Sequence, residues 1–342
     1  MSRIRKSVEA MQGYVPGEQP KDPEILKLNT NENPYPPSPK VAEALVGASE
    51  RFRLYPDPVC MKLREAIAEL HGVTVDQVIA GNGSDETLAL CTRAFVENDG
   101  SIGWLEPSYS LYPILSDIAD VETRPVPLTP DFKWAVPDEF ESDLFFLTNP
   151  NAPTGMMVEK GTLLAFCQRF PGVVVIDEAY ADFAPDNCMD LVDQVDNLIV
   201  MRTFSKSYGL AGLRVGYAVG APKLIEAMYK IKDSYNLNLL TQLAAEAAIR
   251  DDAYKRATAD KIMATRERTA AALRERGWHL EDSHTNFLWA KPPAPATAAQ
   301  VFAALRKQKI VVRYFPAPAT SAFIRITIGT DAQMDRFLAA LT

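Results

Sequence analysis

In NLIVMRTFSKSYGLAGLRVG, residues 197–216, a continuous apolar run gives way to hydroxyl-bearing and cationic side chains separated by glycines. The run lacks the alternation of a half-exposed strand, which indicates a strand buried on both faces of a parallel sheet. Lys206 follows soon after the run, among small and aromatic residues. A lysine enclosed in this way has a lowered pKa, so its amine can become a nucleophile. Arg214 can bring a second cation to the same place.

Apolar runs of the same kind recur earlier in the chain, and each is followed by polar residues or by Gly and Pro. They lie at residues 102–105, 144–147 and 173–176, and a helical pattern at 84–96 precedes the first of them. Strands that alternate with helices predict an α/β fold with a mostly parallel sheet covered by helices on both faces. In such a sheet, ligands bind beyond the carboxyl ends of the strands.

The C-terminal third is organised differently. A helical pattern extends from Pro222 to about Arg276, with an interruption at 234–238. Beyond it the sequence predicts strands and helices in alternation, the strands at 286–290, 310–313 and 323–328 and the helices at 298–307 and 331–341. This mixture predicts a smaller α+β unit.

The opening of the chain is rich in Pro, Asn and Gly, which indicates an extended arm with turns that leads to a helix from about Pro39. We expect this arm to pack with the smaller unit. The predicted parts are therefore an arm at 1–38, a large domain at 39–240 and a small C-terminal domain at 241–342.

Composition limits the possible functions. The chain has 342 residues, 36 Lys+Arg against 44 Asp+Glu, and 47% hydrophobic residues, as expected for a globular protein of one or two domains. A net charge of −8 without a basic block argues against nucleic-acid binding. No apolar run reaches the ~18 residues of a membrane span. No apolar segment follows the basic N-terminus, so we expect no signal peptide and a cytoplasmic location.

The cysteines and histidines are too few and too scattered for a metal site. The sequence has four cysteines without a CxxC pair and three histidines. We expect free thiols and no bound metal. So few histidines also argue against a hydrolase of the Ser–His or Cys–His type.

The residues that follow the predicted strands include candidates for binding a phosphate, an aromatic ring and a cationic group. GNGSDET at 81–87 precedes a helix, where free backbone N–H groups can bind an anion or a phosphate. Tyr109 follows the next strand, in EPSYSLY, and NPNAPTG follows the strand after it. VVVIDEAY places Asp177 at the exit of a buried strand, where a carboxylate can hold a cationic ring nitrogen or a metal.

Taken together, these motifs resemble the fold-type I pyridoxal-phosphate aminotransferases, and within them the histidinol-phosphate aminotransferases. The resemblance covers nearly the whole chain and is carried by LNTNENPY, YPDP, GNGSDE, NPNAPTG, DEAY, TFSKSYGLAGLRVG and IRITIGT. It implies a seven-stranded, mostly parallel sheet, pyridoxal 5'-phosphate as the cofactor, and transfer of an amino group from histidinol phosphate to 2-oxoglutarate.

The resemblance also implies the catalytic residues. Lys206 corresponds to the lysine that binds the cofactor covalently and then transfers protons. Asp177 corresponds to the carboxylate that keeps the pyridine nitrogen protonated, and Tyr180 to the tyrosine that donates to the ring hydroxyl. Tyr109 would stack on the ring. The cofactor phosphate would be bound by the backbone N–H groups of Ser84 and Asp85 and by Thr203, Ser205 and Arg214.

Further residues are implied for the substrate and for a second subunit. Arg325 resembles the arginine that binds the carboxylate of the dicarboxylate partner. The phosphate or imidazole end of histidinol phosphate would contact Arg313, Tyr14 and Asn33. Tyr55, in YPDP, resembles the tyrosine that reaches the cofactor phosphate of a neighbouring subunit, so the resemblance implies a homodimer.

One position departs from the family pattern. The family usually has Asn immediately before Pro-Thr-Gly, where it bonds the ring hydroxyl, but this chain has Ala152. Asn151 is adjacent, and the sequence leaves open whether it replaces the missing side chain.

Three other functions stay open from the sequence. An aromatic amino-acid aminotransferase shares this framework and differs mainly in the donor pocket. A pyridoxal-phosphate-dependent phosphothreonine decarboxylase has the same fold, although NTNENPY fits it less well. A non-catalytic binding protein is disfavoured because Lys206, Asp177, Tyr180 and Arg214 are all present.

Overall fold

The computed structural model describes residues 2–341. Five short 3-10 turns occur, at Ala48–Arg51, Val75–Gln77, Ala181–Phe183, Met189–Asp193 and Ala211–Leu213. The α-helices of this part of the chain are α1 Lys6–Ala10, α2 Pro39–Leu45, α3 Met61–His71, α4 Gly83–Phe95, α5 Leu111–Ala119, α6 Lys160–Arg169, α7 Pro222–Ile231, α8 Leu239–Ile249, α9 Asp252–Glu275, α10 Ala298–Lys307 and α11 Asp331–Ala339.

The strands form three sheets, described below. They are β1 Leu26–Lys27, β2 Val78–Gly81, β3 Ser101–Glu106, β4 Glu122–Pro127, β5 Leu144–Thr148, β6 Val173–Asp177, β7 Leu198–Thr203, β8 Gly216–Gly220, β9 His279–Leu280, β10 Phe287–Lys291, β11 Ile310–Val311, β12 Arg313–Tyr314 and β13 Ile324–Thr327.

The largest sheet has seven strands in the order β2-β8-β7-β6-β5-β3-β4. Only β8 runs against the others, because it pairs antiparallel with both β2 and β7. The predicted seven-stranded, mostly parallel sheet is therefore confirmed. The strands expected at 102–105, 144–147, 173–176 and 197–201 are present, each displaced by two residues or fewer at either end.

Helices cover both faces of this sheet. Alternate residues of β6 face opposite sides, so Val174 and Ile176 belong to one apolar cluster and Val175 to another. The first cluster includes side chains of α3, α6 and α8, and the second includes side chains of α4, α5 and α7. The central strands of this sheet have continuous apolar runs because their side chains are buried on both faces of the sheet.

The C-terminal unit is built on a four-stranded antiparallel sheet in the order β12-β13-β10-β9. The arm packs here, because β1 pairs parallel with β11 and Leu26 and Leu28 lie in the apolar cluster of this unit. The single strand expected at 310–313 is divided between two sheets. β11 pairs with the arm, whereas β12 pairs with β13.

The boundary at residue 240 stays a prediction, and the packing of α8 and α9 favours a later one. Ala244, Ala245 and Ala248 of α8 lie in the cluster of the large sheet, where α8 packs against α2 and α3. Ile262 and Leu273 of α9 lie in the cluster of the C-terminal unit. We propose a boundary near residue 250, between these two helices.

A buried ion cluster joins the carboxyl ends of β6 and β7 to α9. Arg202 Nη2 lies 2.7 Å from Glu178 Oε2, and Arg202 Nη1 lies 3.4 Å from Asp182 Oδ1. Lys255 of α9 donates to Asp182 at 2.8 Å, and the Ser207 hydroxyl also donates to Asp182. Burial alone would raise the pKa of Asp182, but the two cations lower it to about 2. Asp182 therefore stays ionised inside the protein.

Two further expectations concern cysteines and membranes. Cys60, Cys91, Cys167 and Cys188 are all free and buried. Within residues 2–341 no helix combines the length and the apolar character that crossing a bilayer requires.

We predict that Arg202→Leu lowers the free energy of unfolding by about 3–5 kcal/mol, since it leaves the Glu178 carboxylate buried without its cation. Urea unfolding of the purified variants measures this. Lys230→Met is the matched control, because Lys230 and Glu226 form an exposed i,i+4 pair, and its loss should stay below about 0.5 kcal/mol. Equal losses in the two variants would contradict the structural importance of the cluster.

Candidate active site

Asp177 ends β6 at the carboxyl edge of the large sheet, between Thr148 of β5 and Met201 of β7. Its carboxylate accepts hydrogen bonds from the Ala179 N–H at 3.1 Å and from the Tyr112 hydroxyl at 3.4 Å. Burial raises the pKa of Asp177 to about 7 in spite of these donors. A cationic group beside it would stabilise the ionised form.

Lys206 lies in the loop between β7 and β8, and its amine is enclosed. Nζ donates to the Thr30 carbonyl at 3.3 Å and lies 5.8 Å from the centre of the Tyr180 ring. Burial, together with the charge of Arg325, lowers the pKa of Lys206 to about 8. A larger fraction of this amine than of an ordinary lysine is therefore neutral, and hence nucleophilic, near neutral pH.

The N-terminus of α4 forms a cradle at the same edge. Gly83 has a φ of +78°, and a Cβ atom there would lie 2.6 Å from the Arg214 guanidinium. A Cβ atom on Gly216 would lie 2.7 Å from the Ser84 nitrogen. Because both glycines keep side-chain atoms out of the space, the first N–H groups of α4 and Arg214 can approach one anion. A phosphate group fits this cradle.

The other predicted phosphate ligands border the cradle. The Ser205 N–H donates to Thr203 Oγ1 at 3.1 Å, and Arg214 Nη1 donates to Ser205 Oγ at 3.4 Å. Arg214 Nη2 also lies 3.1 Å from a carboxylate oxygen of Asp85. Ser84, Asp85, Thr203, Ser205 and Arg214 are thus brought together.

Aromatic side chains line the space between the cradle and Asp177. Tyr109 donates to Asp85 at 3.1 Å, and its ring lies edge-on to Tyr112, with centres 5.7 Å apart. Tyr180 lies opposite, and its hydroxyl accepts a hydrogen bond from the Asn31 amide at 2.9 Å. Burial raises the pKa of Tyr180, so the hydroxyl keeps its proton.

Two arginines of the C-terminal sheet face the same space. Arg313 and Arg325 are directly opposite each other on β12 and β13. Their guanidinium groups donate only to carbonyls, Arg313 to Val15 at 3.4 Å and Arg325 to Asn29 at 3.1 Å. Nε of Arg325 is buried and has no hydrogen-bond partner among residues 2–341. Two adjacent cations without a carboxylate partner in the described chain form a site for an anion.

Tyr109, Tyr180, Lys206 and the two arginines line one cavity of about 350 Å³. Among the residues predicted for cofactor and substrate, its walls include Tyr14, Tyr109, Tyr180, Lys206, Arg313 and Arg325. Tyr14 belongs to the arm, and its ring lies edge-on to Tyr109, with centres 6.2 Å apart. The cavity is large enough for a small amino compound beside a ring-shaped cofactor.

Several predicted residues lie outside the lining of this cavity, among them Asp177, the residues of the cradle, Asn33 and Tyr55. The Asn33 amide donates to the carbonyls of Lys206 and Ser207 at 3.0 and 2.9 Å, and its oxygen accepts from the Tyr35 N–H. Asn33 therefore holds the backbone of the lysine loop and does not line the cavity. Tyr55 is 81% exposed and stacks on Tyr235, with ring centres 4.5 Å apart.

The structure also shows what Asn151 does beside Ala152. The Asn151 oxygen accepts from the Thr154 N–H and hydroxyl, and its amide donates to the Pro107 carbonyl. These bonds fix the loop and occupy the side chain, so it does not replace the missing Asn. Ala152 itself is buried and lines the cavity.

Comparison with known proteins identifies the family. The model of the class I and II aminotransferases matches residues 23–341, which is nearly the whole chain. The chain belongs to this family.

Individual relatives extend over the same length. The chain is 44% identical to a histidinol-phosphate aminotransferase from Geotalea daltonii, covering 100% of this chain and 99% of the relative. It is 42% identical to another from Synechocystis, covering 100% and 98%. It also resembles the solved histidinol-phosphate aminotransferase from Sinorhizobium meliloti in complex with pyridoxal-5'-phosphate, with a TM-score of 0.88, 26% identity and coverage of 100% and 97%.

Sequence reasoning missed two residues of this aminotransferase site. Tyr112 donates to Asp177, and the signal for it was its position three residues after Tyr109 in EPSYSLY. Asn31 donates to Tyr180, and it belongs to the NTNENPY motif in which only Asn33 was selected. No group of metal-ligating residues is found in the part of the aminotransferase that the structure describes.

We predict a pH-dependent stability difference between the cofactor-free aminotransferase and its Asp177→Asn variant. The folded-state pKa of Asp177 is about 7, whereas the unfolded-state pKa is about 4. The folded carboxyl therefore binds its proton more tightly, and its contribution to stability is lost as pH rises from about 4 through about 7. Between about pH 5 and pH 8, the wild type should lose on the order of 2 kcal/mol relative to the variant.

Urea unfolding at both pH values measures this difference, and the other titrating groups cancel between the two proteins. Parallel stability profiles would mean that Asp177 is ionised throughout and that its burial does not raise its pKa.

Proposed function

We propose that this aminotransferase uses pyridoxal 5'-phosphate to transfer the amino group of histidinol phosphate to 2-oxoglutarate, giving imidazole acetol phosphate and glutamate in histidine biosynthesis. The observation that carries the proposal is the pair Arg313 and Arg325, which offers beside Lys206 two cations that have no carboxylate partner among residues 2–341. A donor with a phosphate group and an acceptor with two carboxylates both need such an anion site. The names of the relatives support the same assignment.

The residues at the sheet edge fit the proposed cofactor. Its phosphate would be bound in the cradle by the first N–H groups of α4 and by Arg214, where a Cβ atom on Gly83 or Gly216 would fill the space. Asp177 would hold a protonated pyridine nitrogen, which would also favour ionisation of its own carboxylate. When bound, the cofactor supplies an electron-withdrawing ring that acidifies the amino-bearing carbon of the substrate.

Lys206 is the group that moves the proton. With a pKa of about 8, its amine can take a proton from the amino-bearing carbon and return it to a neighbouring atom near neutral pH. The Tyr180 ring lies beside this amine, with its centre 5.8 Å from Nζ, and Asn33 fixes the backbone carbonyls of Lys206 and Ser207. The arrangement needs no histidine.

The substrate would be oriented by its charged end. Nε of Arg325 is buried and has no hydrogen-bond partner among residues 2–341, and Arg313 lies directly opposite on the neighbouring strand. We assign the phosphate of the donor and a carboxylate of the acceptor to this pair, so the two substrates would bind in turn. Tyr14 of the arm lies over the same cavity and would contact the imidazole end.

A donor panel with 2-oxoglutarate as acceptor tests the proposal. We predict that kcat/KM is highest for histidinol phosphate, well above phenylalanine, and that no CO2 is released from phosphothreonine. Arg313→Ala should raise KM for histidinol phosphate by roughly 10- to 100-fold, because a hydrogen bond to a charged group contributes ~1.5–3 kcal/mol. The change for phenylalanine should be much smaller.

Lys206→Ala is the control for catalysis by this site, and we expect it to abolish turnover with every donor. An equal loss for both donors in Arg313→Ala would favour the aromatic aminotransferase. Release of CO2 from phosphothreonine would favour the decarboxylase.

We also propose a homodimer in which Tyr55 reaches the cofactor phosphate of the neighbouring subunit. The support is a set of exposed apolar side chains close in sequence, Phe52, Leu54, Tyr55 and Met61, together with Tyr235, which stacks on Tyr55. Exposed apolar patches of this kind mark protein interfaces.

We predict a dimer by sedimentation velocity, and a weaker affinity for the cofactor in Tyr55→Phe with the dimer intact. The loss should be about tenfold, as expected for one hydrogen bond to a charged group. A monomeric wild type, or an unchanged affinity in the variant, would contradict this assignment.

We propose a cytoplasmic location as well, since four free thiols without a disulfide suit a reducing compartment. Cell fractionation tests it.

A further inference from the structure

Asn31 is the only residue of the arm whose side chain bonds Tyr180 within residues 2–341. It is 1% exposed and lies in the left-handed region with a φ of 56°, a conformation that Asn tolerates better than most residues. Asn31 thus lies in the site although none of the substrate or cofactor groups assigned above requires it.

The orientation of the Asn31 amide is fixed by Thr327 of β13. Thr327 Oγ1 accepts the Asn31 N–H at 3.0 Å, so its own proton is free to be donated to Asn31 Oδ1, also at 3.0 Å. With Oδ1 occupied in this way, Nδ2 faces Tyr180 at 2.9 Å. The Asn31 carbonyl in turn accepts from the Asn286 amide at 2.9 Å.

The direction of the bond to Tyr180 has a chemical consequence. Because the Tyr180 oxygen accepts from Nδ2, its own proton has to point elsewhere, and a hydroxyl that accepts a hydrogen bond becomes a better donor. The chain lacks the second donor to the cofactor ring hydroxyl, since Ala152 replaces the usual Asn and Asn151 is held within its own loop. Tyr180 is therefore the donor on which that ring oxygen depends.

We propose that Asn31 is a positioning residue that acts through Tyr180, directing the Tyr180 proton to the ring oxygen of the cofactor and strengthening that hydrogen bond. The inference rests on the proposed function, because it assumes that pyridoxal 5'-phosphate is bound at this site. It assigns to the NTNENPY motif a second role, distinct from the support that Asn33 gives to the lysine loop.

Other charges also face Tyr180 and enter any titration of the site. Lys206 lies 5.8 Å from the ring centre, and Arg325 and Asp177 act on the hydroxyl through their charges. None of these groups is altered by a change at Asn31, so they are constant in a comparison of variants.

Titration of the visible absorbance of the bound cofactor against pH tests the proposal without measuring turnover. A hydrogen bond donated to the ring oxygen stabilises its anionic form, so weakening that bond should raise the midpoint. Tyr180→Phe should raise it by roughly one to two pH units. Asn31→Gly removes the amide, suits the positive φ and keeps both backbone bonds, and it should raise the midpoint by about 0.5–1 unit.

The decisive comparison is the same substitution in two backgrounds. If Asn31 acts through the Tyr180 hydroxyl, Asn31→Gly should shift the midpoint in the wild type and leave it unchanged in Tyr180→Phe. Asn31→Ala should behave in the same way, which separates loss of the amide from loosening of the backbone.

Asn286→Ala is the matched control, because it removes another hydrogen bond of Asn31 without touching Tyr180. We expect it to leave the midpoint unchanged. An equal shift in Asn286→Ala and Asn31→Gly, a lowered midpoint, or a shift that persists in Tyr180→Phe would each overturn the inference and leave Asn31 as a structural support of the arm.

Failure of the proposed function gives a different result. In that case the wild type with added pyridoxal 5'-phosphate would show no absorbance band that Lys206→Ala abolishes. A band that depends on Lys206 but whose titration is unaffected by Asn31→Gly would overturn the inference alone.

Discussion

Thr148, Asp177 and Met201 lie side by side because β5, β6 and β7 are parallel and in register. Parallel strands end at the same edge, so this pairing alone brings the Asp177 carboxylate next to the loop that carries Lys206. Glu178 and Arg202 directly follow the paired residues Asp177 and Met201, and they form the buried ion pair. The ion cluster then continues to α9, so the helix that begins the C-terminal unit is attached to the same edge.

The electrostatics of this edge are unfavourable without a cofactor. Burial raises the pKa of Asp177 to about 7 and lowers that of Lys206 to about 8, so both groups are shifted toward their neutral forms. Arg325 has its pKa lowered by burial as well, and the neighbouring Arg313 adds to that effect. Groups that destabilise a fold in isolation are typical of functional sites. A cofactor with a cationic ring nitrogen would supply the partner of Asp177, and its phosphate would occupy the cradle. A negatively charged substrate would supply the partner of the two arginines.

The sequence predicted the central strands and the site residues on them, because buried parallel strands have long apolar runs and their last residues carry the chemistry. It did not reveal β4, whose residues Glu122–Pro127 are largely exposed at the sheet edge and include two prolines. It also could not show that residues 310–313 divide between two sheets. Local sequence indicates a strand but not its pairing partner, which is β1 for Ile310–Val311 and β13 for Arg313–Tyr314. The sequence also could not distinguish the partners of Asn31 and Asn33, because neighbouring asparagines in one motif can point to different partners and only the backbone geometry decides between them.

The site combines residues from units with separate apolar clusters. Lys206 comes from the large sheet, Arg313 and Arg325 come from the C-terminal sheet, and the arm lies between them. Hydrogen bonds of the arm cross this boundary, since Asn33 binds the lysine loop while Asn31 joins Tyr180 to Thr327. A displacement of the C-terminal unit would therefore act on the arginine pair and on the Tyr180 hydroxyl together. Under the proposed function, substrate anions at the arginines and proton transfer near Lys206 would be linked through the arm, because its polar side chains are bonded to both units.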